Sequence, residues 1–380
     1  MKIKEIFSHQ DTLHELTQKS SLHDKLTATH HSIKEIFPFI VRISIAIYDS
    51  QTKVLKTFVD SSGENHPLDH YQSLLDDAPS LKSVYERGAP RVVNDLDMFK
   101  EGKNKHTKQI KAQCYAASYT MPIYNEGLFI GFLFFNSDTK NIFDENVLRQ
   151  LDIYGHLISL LMINEFSSIQ TLTAAIKTTG NLSHVRDPET GGHLDRMSRY
   201  SRLIANALAD RYKLNDAYIE HIFMYAPLHD IGKIGIPDRI LLKDGPLNEE
   251  EWHVMQTHAR IGREMIDDLL ENFGLVNFED VNILRNIAEF HHEKINGTGY
   301  PTGIKSEQIP LEARIVAVAD VFDALTSIRC YKEAWSNEKA IETLKSLAGE
   351  SLDKECVMAL LENIDHVIEI QKRFAEDNFG

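Results

Sequence analysis

Apolar residues follow two different periods along this chain. Between about residues 38 and 140 the period is two. Val41–Tyr48 alternates in the manner of a half-buried strand, and Val54–Val59 follows the turn-like Asp49-Ser-Gln-Thr. Pro90–Val93 predicts a short strand, followed by a polar, lysine-rich stretch through Lys100–Lys111. Ala116–Tyr124 and Leu128–Asn136 are separated by Asn125-Glu126-Gly127, which predicts a hairpin. An antiparallel sheet with helices around it, α+β in class, is expected here. Residues 1–37 read as helical and polar. His9, His14, His23, His30 and His31 lie there without a matching carboxylate pattern and read as solvated.

From Phe143 onward the spacing is helical. Phe143–Thr179 reads as the connector between two domains, either a plain packed helix or one of a parallel pair that carries a signal through a homodimer. Beyond 181 no strand pattern persists. Helices are predicted at 193–209, 214–229, 248–271, 277–291, 311–328, 337–348 and 353–376. Stops stand at Gly235-Ile-Pro, Asp244-Gly-Pro and Asn296-Gly-Thr-Gly-Tyr-Pro. The second domain is therefore expected to be an all-α bundle.

Composition narrows the classes. A length of 380 residues suggests two or three domains. A net charge of −15 argues against a binder of nucleic-acid polymer, which needs a basic stripe. The longest apolar stretches, Leu128–Phe135 and Leu157–Ile163, are too short to cross a bilayer, so no membrane partner is expected. The N-terminus lacks the apolar core of a signal peptide. Cys114, Cys330 and Cys356 form neither a disulfide framework nor a zinc pattern, and a cytoplasmic location is the simplest setting. Histidine is the unusual component, at 18 residues.

Several of these histidines sit where a metal would need them. His229-Asp230 puts an imidazole beside a carboxylate that can bridge two cations, and Lys233 lies one turn on, within reach of an anion. Asp187-Pro188 resembles a helix start, which would set Glu189 and His193 one turn apart on one face. His258 precedes Ala-Arg-Ile-Gly, whereas His253 reads as a surface residue. His291-His292-Glu293 ends a helix, before a loop whose two glycines allow close backbone approach. Asp320 interrupts a strongly apolar helix, where a carboxylate is costly unless paired or bound to a cation. Asp323 reads as support for the helix or the site. So mixed a donor set exceeds one tetrahedral zinc. It suits two divalent ions, or three if Glu189 joins, with iron or manganese favoured. Two such ions would hold a bridging hydroxide and clamp a phosphate oxygen, which implies hydrolysis of a phosphate ester.

Two family resemblances follow. Residues 20–165 resemble a GAF-type sensor in element order alone: helix, two strands, an irregular middle, two strong strands and a long exit helix. That resemblance implies a small ligand, a protein partner or dimerisation, and Cys114 is read as a buried structural thiol. Residues 181–350 resemble an HD-GYP domain. The matching pieces are Arg186-Asp-Pro through Gly-Gly-His193, Leu228-His-Asp-Ile-Gly-Lys-Ile-Gly-Ile-Pro237, His258, His291-His-Glu with Asn-Gly-Thr-Gly-Tyr-Pro301, and Arg314-Ile-Val-Ala-Val-Ala-Asp-Val-Phe-Asp-Ala-Leu-Thr326. The resemblance implies a cyclic di-GMP phosphodiesterase that yields pGpG and, beyond it, GMP. It implies His193, His229, Asp230, His258, His291, His292 and Asp320 as metal ligands, with Asp230 bridging and Lys233 assisting the attacking water or a phosphate oxygen. It further places Tyr300, Arg329 and Lys332 at the substrate; many relatives carry an aromatic residue where Glu189 stands and some a Glu that binds a third ion, so two and three ions both stay open. The expected division is a sensor over 1–165, a connector over 166–180 and the phosphohydrolase over 181–380. Two departures fall outside the expected ligand set: Ile328-Arg-Cys-Tyr stands where the family carries Asp-Arg-Pro-Tyr, and Gly349-Glu-Ser-Leu-Asp-Lys where it carries Gly-Thr-His-Phe-Asp-Pro. They keep two alternatives open: a cyclic di-GMP-binding protein that turns over slowly or not at all, and a phosphohydrolase for another nucleotide.

Overall fold

The computed structural model describes residues 11–18, 20–62, 70–99, 115–182, 191–272, 280–327 and 334–375. The chain divides into two compact units, Met1–Ser167 and Ser168–Gly380.

In the first unit, β1 (Ile40–Asp49), β2 (Val54–Asp60), β3 (Gln72–Leu74), β4 (Arg91–Val93), β5 (Ala117–Asn125) and β6 (Leu128–Ser137) form one sheet in the order β3-β2-β1-β6-β5-β4. Every pairing is antiparallel. The predicted hairpin joins β5 to β6, and β3 is a strand that the sequence pattern missed. It has only three residues, too few to show a period. Three helices accompany the sheet: α1 (Leu22–Ile36), opened by a reciprocal Ser21–Asp24 capping box, α2 (Pro79–Arg87) and the long α3 (Glu145–Leu182). The division between the units falls inside α3.

Cross-strand registers show which residues share a face. Tyr119 pairs with Phe135 and Met121 with Leu133, and Phe135 and Leu133 pair in turn with Ile43 and Ile45. This face is apolar and buried. α3 lies close against it, since a Cβ on Gly155 would come within 2.3 Å of the Met121 sulfur. On the opposite face Leu55 and Phe132 pack under α2 with Leu75, Leu81 and Val84. β1 is thus covered on both sides and is not the half-buried strand expected. It lies between β2 and β6 with apolar cover above and below, and a two-residue period cannot tell this from one solvated face. His30 is a second correction. It is buried on α1, and its Nε2 lies 2.9 Å from the Ile40 carbonyl oxygen, tying the helix to β1.

The second unit is helical: α4 (Gly191–Tyr212), α5 (Asp216–Tyr225), α6 (Asp238–Leu241), α7 (Glu249–Gln256), α8 (His258–Asn272), α9 (Val281–Phe290), α10 (Leu311–Thr326), α11 (Asn337–Leu347), α12 (Lys354–Glu362) and α13 (Ile364–Arg373). Its core joins Met197, Tyr200 and Ile204 of α4 to Ile222 and Tyr225 of α5, Ile287 of α9, and Ile315 and Phe322 of α10. Three predicted helices differ. The one expected over 214–229 ends at Tyr225, and 3-10 turns at Ala226–Leu228 and Ile231–Gly235 follow, because Pro227 cannot donate to a continuing α ladder. The helix over 248–271 breaks at Thr257, and that over 353–376 at Asn363. Among the described residues no helix is long and apolar enough to cross a membrane.

Candidate metal centre

The break after Tyr225 sets the geometry of the site. His229 and Asp230 sit between the two 3-10 turns and not at the end of a regular helix. The turn Ile231–Gly235 then presses against the start of α8. A Cβ on Gly232 would lie 1.9 Å from the His258 carbonyl oxygen and 2.4 Å from the Gly262 nitrogen, so only glycine permits this approach. The contact brings His258 to Asp230. His291 and His292 follow the last turn of α9, His193 is in the first turn of α4, and Asp320 is on α10.

These side chains fall into two groups. Asp230, His258, His291 and His292 form one, and His193, His229 and Asp320 the other. Within each, one donor atom per residue lies within 4.8 Å of all the others. The groups adjoin at His229, whose Nε2 is 3.3 Å from Asp230 Oδ2. Seven donors that were far apart in sequence thus converge. Glu189, Arg329 and Lys332 lie outside the described residues.

Tautomer geometry provides a test of whether the group fits cations. Backbone carbonyls of Ala226, Met255 and Ile287 lie 2.8, 2.7 and 2.9 Å from Nδ1 of His229, His258 and His291. A carbonyl only accepts, so each Nδ1 carries the proton and each Nε2 presents a lone pair to the centre. His258 Nε2 and His291 Nε2 stand 3.1 and 3.5 Å from Asp230 Oδ1, yet none of these three atoms makes a hydrogen bond. Lone pairs facing a carboxylate oxygen at this range repel one another unless a cation lies between them. The donor set therefore fits divalent ions.

Electrostatics agree with that reading. Burial pushes the Asp230 carboxyl up, but the Lys233 ammonium beside it acts against this, and the group lies well below the ordinary carboxylate range. Lys233 Nζ is 2.7 Å from Asp230 Oδ2. Burial lowers His291, and burial with the neighbouring His291 takes His292 well down, so both favour the neutral, ligating form. The Tyr300 ring lies 4.7 Å from His292 and 6.1 Å from His258. Burial and then the charge of Asp230 raise its phenol, which stays protonated.

Asp320 is only half-buried, and the carboxylate with no exposure on α10 is Asp323. Asp323 Oδ2 is 2.8 Å from His193 Nδ1, and Arg196 grips both Asp323 oxygens at 2.6 and 3.0 Å. Attraction to His193 and Arg196 overcomes burial and holds this carboxyl below its ordinary value. Arg196 did not emerge from the sequence reading, although a signal existed. His193/Arg196 and Asp320/Asp323 are both spaced i, i+3, so two facing helices present matched rungs. Glu293 was also passed over. It is buried and accepts from the Thr302 and Gly303 backbone nitrogens and the Thr302 hydroxyl, which shapes the loop carrying Tyr300. In that loop a Cβ on Gly299 would meet the His292 carbonyl oxygen at 2.5 Å.

Residues 188–356 match the family described as HD domain. A relative from Xanthomonas campestris pv. campestris, cyclic di-GMP phosphodiesterase response regulator RpfG, is 47% identical over 46% of this chain and 44% of its own. A Vibrio cholerae relative, 3'3'-cGAMP-specific phosphodiesterase 2, is 34% identical over 59% of this chain and 41% of its own. The chain thus spans about half the length, or less, of the curated relatives it matches. A solved GAF domain from an Acinetobacter phosphoenolpyruvate-protein phosphotransferase aligns with 41% of this chain and 91% of its own at 13% identity and a TM-score of 0.33.

Proposed function

On the premise that residues 188–356 are an HD domain, we propose that this chain hydrolyses cyclic di-GMP to pGpG and onward to GMP. The observation that carries the reading is the pair of adjoining donor groups that meet at His229-Asp230. Asp230 would be shared between two ions, with His258, His291 and His292 as the residues that would hold one of them and His193, His229 and Asp320 the other. Glu189 is the candidate for a third. Iron suits the donors best and manganese next. When bound, such ions supply Lewis acidity to a phosphodiester and acidify a water.

The chain's own residues do the rest. Lys233 stands beside Asp230 Oδ2, where it keeps the carboxylate ionised and offers its ammonium to a phosphate oxygen. Protonated Tyr300 borders the His292 side of the centre and donates to the substrate. Arg329 and Lys332 complete the phosphate contacts. The segment 1–165 regulates hydrolysis through the connector 166–180 in a cytoplasmic homodimer.

The test is purified protein with Fe(II) or Mn(II) and cyclic di-GMP, followed by nucleotide chromatography. Appearance of pGpG or GMP supports the reading. No product with metal shown to be present moves it to a binding protein. One finding favours a second substrate, since a relative at 34% identity is named for 3'3'-cGAMP. Parallel assays with both dinucleotides separate the two.

A further inference from the structure

The rim of the metal centre carries a large aromatic side chain that the helical core does not use. Trp252, on α7, is 47% exposed, although indole is ordinarily among the more buried groups. It meets the Tyr300 ring at 6.5 Å, with 83° between the planes. Tyr300 in turn stands 4.7 Å from the His292 ring and 6.1 Å from that of His258. Indole, phenol and imidazoles thus form a row of rings that leads from solvent to the donor groups.

The indole is firmly mounted. α7 opens with a reciprocal cap, in which Glu251 N donates to Asn248 Oδ1 and Asn248 N to Glu251 Oε2, each at 2.8 Å. The same Glu251 carboxylate accepts from the Lys243 ammonium, which ties α7 back to the segment that follows α6. At its other end α7 stops at Thr257, and α8 begins directly with His258. Trp252 is therefore held at a set offset from a proposed metal ligand. The second tryptophan differs. Trp335 is partly buried, and the Lys339 ammonium lies 3.8 Å from its ring centroid. Among the described residues no cation covers Trp252 in this way. Half-exposed indole forfeits part of its hydrophobic gain, yet it offers a flat, polarisable face beside the site.

We propose that Trp252 is the stacking platform for a purine base of the substrate, and so a residue that sets substrate affinity. That role rests on the nucleotide chemistry proposed above. A phosphodiester drawn to the donor groups carries its riboses and bases outward, and a base that passes Tyr300 meets the indole. Stacking reads the π face of a base and not its hydrogen-bonding edge, so guanine and adenine are taken alike. The platform favours a purine dinucleotide over a base-free diester without choosing between cyclic di-GMP and 3'3'-cGAMP.

The test has an optical arm and a kinetic arm, both on the full chain loaded with metal. The chain has two tryptophans, so Trp335→Phe reports on Trp252 alone. GMP is expected to quench its fluorescence saturably, and ribose 5-phosphate, with the same phosphate and no base, to leave it unchanged. In the kinetic arm, KM for cyclic di-GMP is expected to rise about tenfold in Trp252→Ala and Trp252→Leu, with kcat held within about twofold. Trp252→Phe restores a π face and is expected to return KM to within about threefold of wild type. Leucine keeps apolar bulk without that face, so a residue that only packs against Tyr300 would be rescued by leucine as well as by phenylalanine. That rescue overturns the proposal, as does a fall in kcat with KM unchanged. An unchanged KM in Trp252→Ala, or the same fluorescence response to GMP and to ribose 5-phosphate, also overturns it. The two readings fail separately. Quenching by GMP without turnover in wild type keeps the platform and removes the hydrolysis, whereas turnover without quenching removes only the platform.

Discussion

Around Asp230, imidazole lone pairs and carboxylate oxygens face one another and call for a cation. On the sheet face around Thr120, polar side chains instead satisfy one another, Arg91 donating to Thr120 and Ser118 to Asn136. The two units thus treat their buried polar groups differently. Three other buried carboxylate–arginine contacts show such balance. Asp323 is matched by Arg196 and His193, Arg42 by Asp60, and Asp353 by Arg314 at 2.6 Å. The contrast locates ligand sites by compensation, since a buried charge with a partner supports structure and one without a partner awaits a ligand.

Four changes would break or sharpen that contrast. Asp230→Ala should have the largest effect, with loss of bound metal and of hydrolysis together by about a thousandfold or more, because one carboxylate serves both groups. Metal analysis beside the nucleotide assay checks it, and full occupancy in the variant would defeat the bridging assignment. Lys233→Met should retain metal while kcat falls about a hundredfold, because bound cations would themselves keep Asp230 ionised and the loss of the ammonium then falls on the reaction. Loss of metal there would mean that Lys233 holds Asp230 in place.

Asp323→Asn removes a charged acceptor from His193 while leaving every proposed ligand in place. Metal affinity should drop about 10- to 100-fold, read by competition with a chelator. Unchanged affinity would reduce Asp323 to helix packing. The smallest effect concerns pH. Asp353 accepts from the Glu355 and Cys356 nitrogens and from Arg314, and despite burial these partners hold its carboxyl below the ordinary value of 3.8. A depressed folded-state value contributes stability above the unfolded one and loses it as pH falls through the folded one. Wild type should therefore exceed Asp353→Asn by about 1 kcal/mol near neutrality, and the difference should vanish in acid below that ordinary value. Urea unfolding at a series of pH values checks this. A difference that persists in acid would assign the effect to shape.

Much of the architecture was legible beforehand. Alternation marked β1, β2, β5 and β6, and helical spacing marked the bundle, because both periods come from the backbone. The three-residue β3 was too short to register. His30 looked solvated because a polar helix conceals which of its histidines meets a strand, and the Ile40 carbonyl that satisfies it is known only after folding. The side chains that the fold gathers around Asp230 were legible as candidate donors from their types and setting. Arg196 and Glu293 were not, because a positioning residue is defined by what it touches. Asp353, which keeps the family residue inside the departing stretch Gly349–Lys354, is likewise explained by contact: it caps α12 and pairs with Arg314.

The sequence alone determined which chemistry was available: imidazoles and carboxylates along the helical half, alternating strands in the first, and a lysine three residues after His229-Asp230. Tertiary structure decided which of those groups meet. It ended α5 at Tyr225, set Gly232 against the first turn of α8, and so placed His258 beside Asp230. It also assigned the fully buried carboxylate to Asp323. Residue type fixes what a side chain can bind. Whether its charge is balanced depends on neighbours brought together from remote parts of the chain, and those neighbours exist only in the fold.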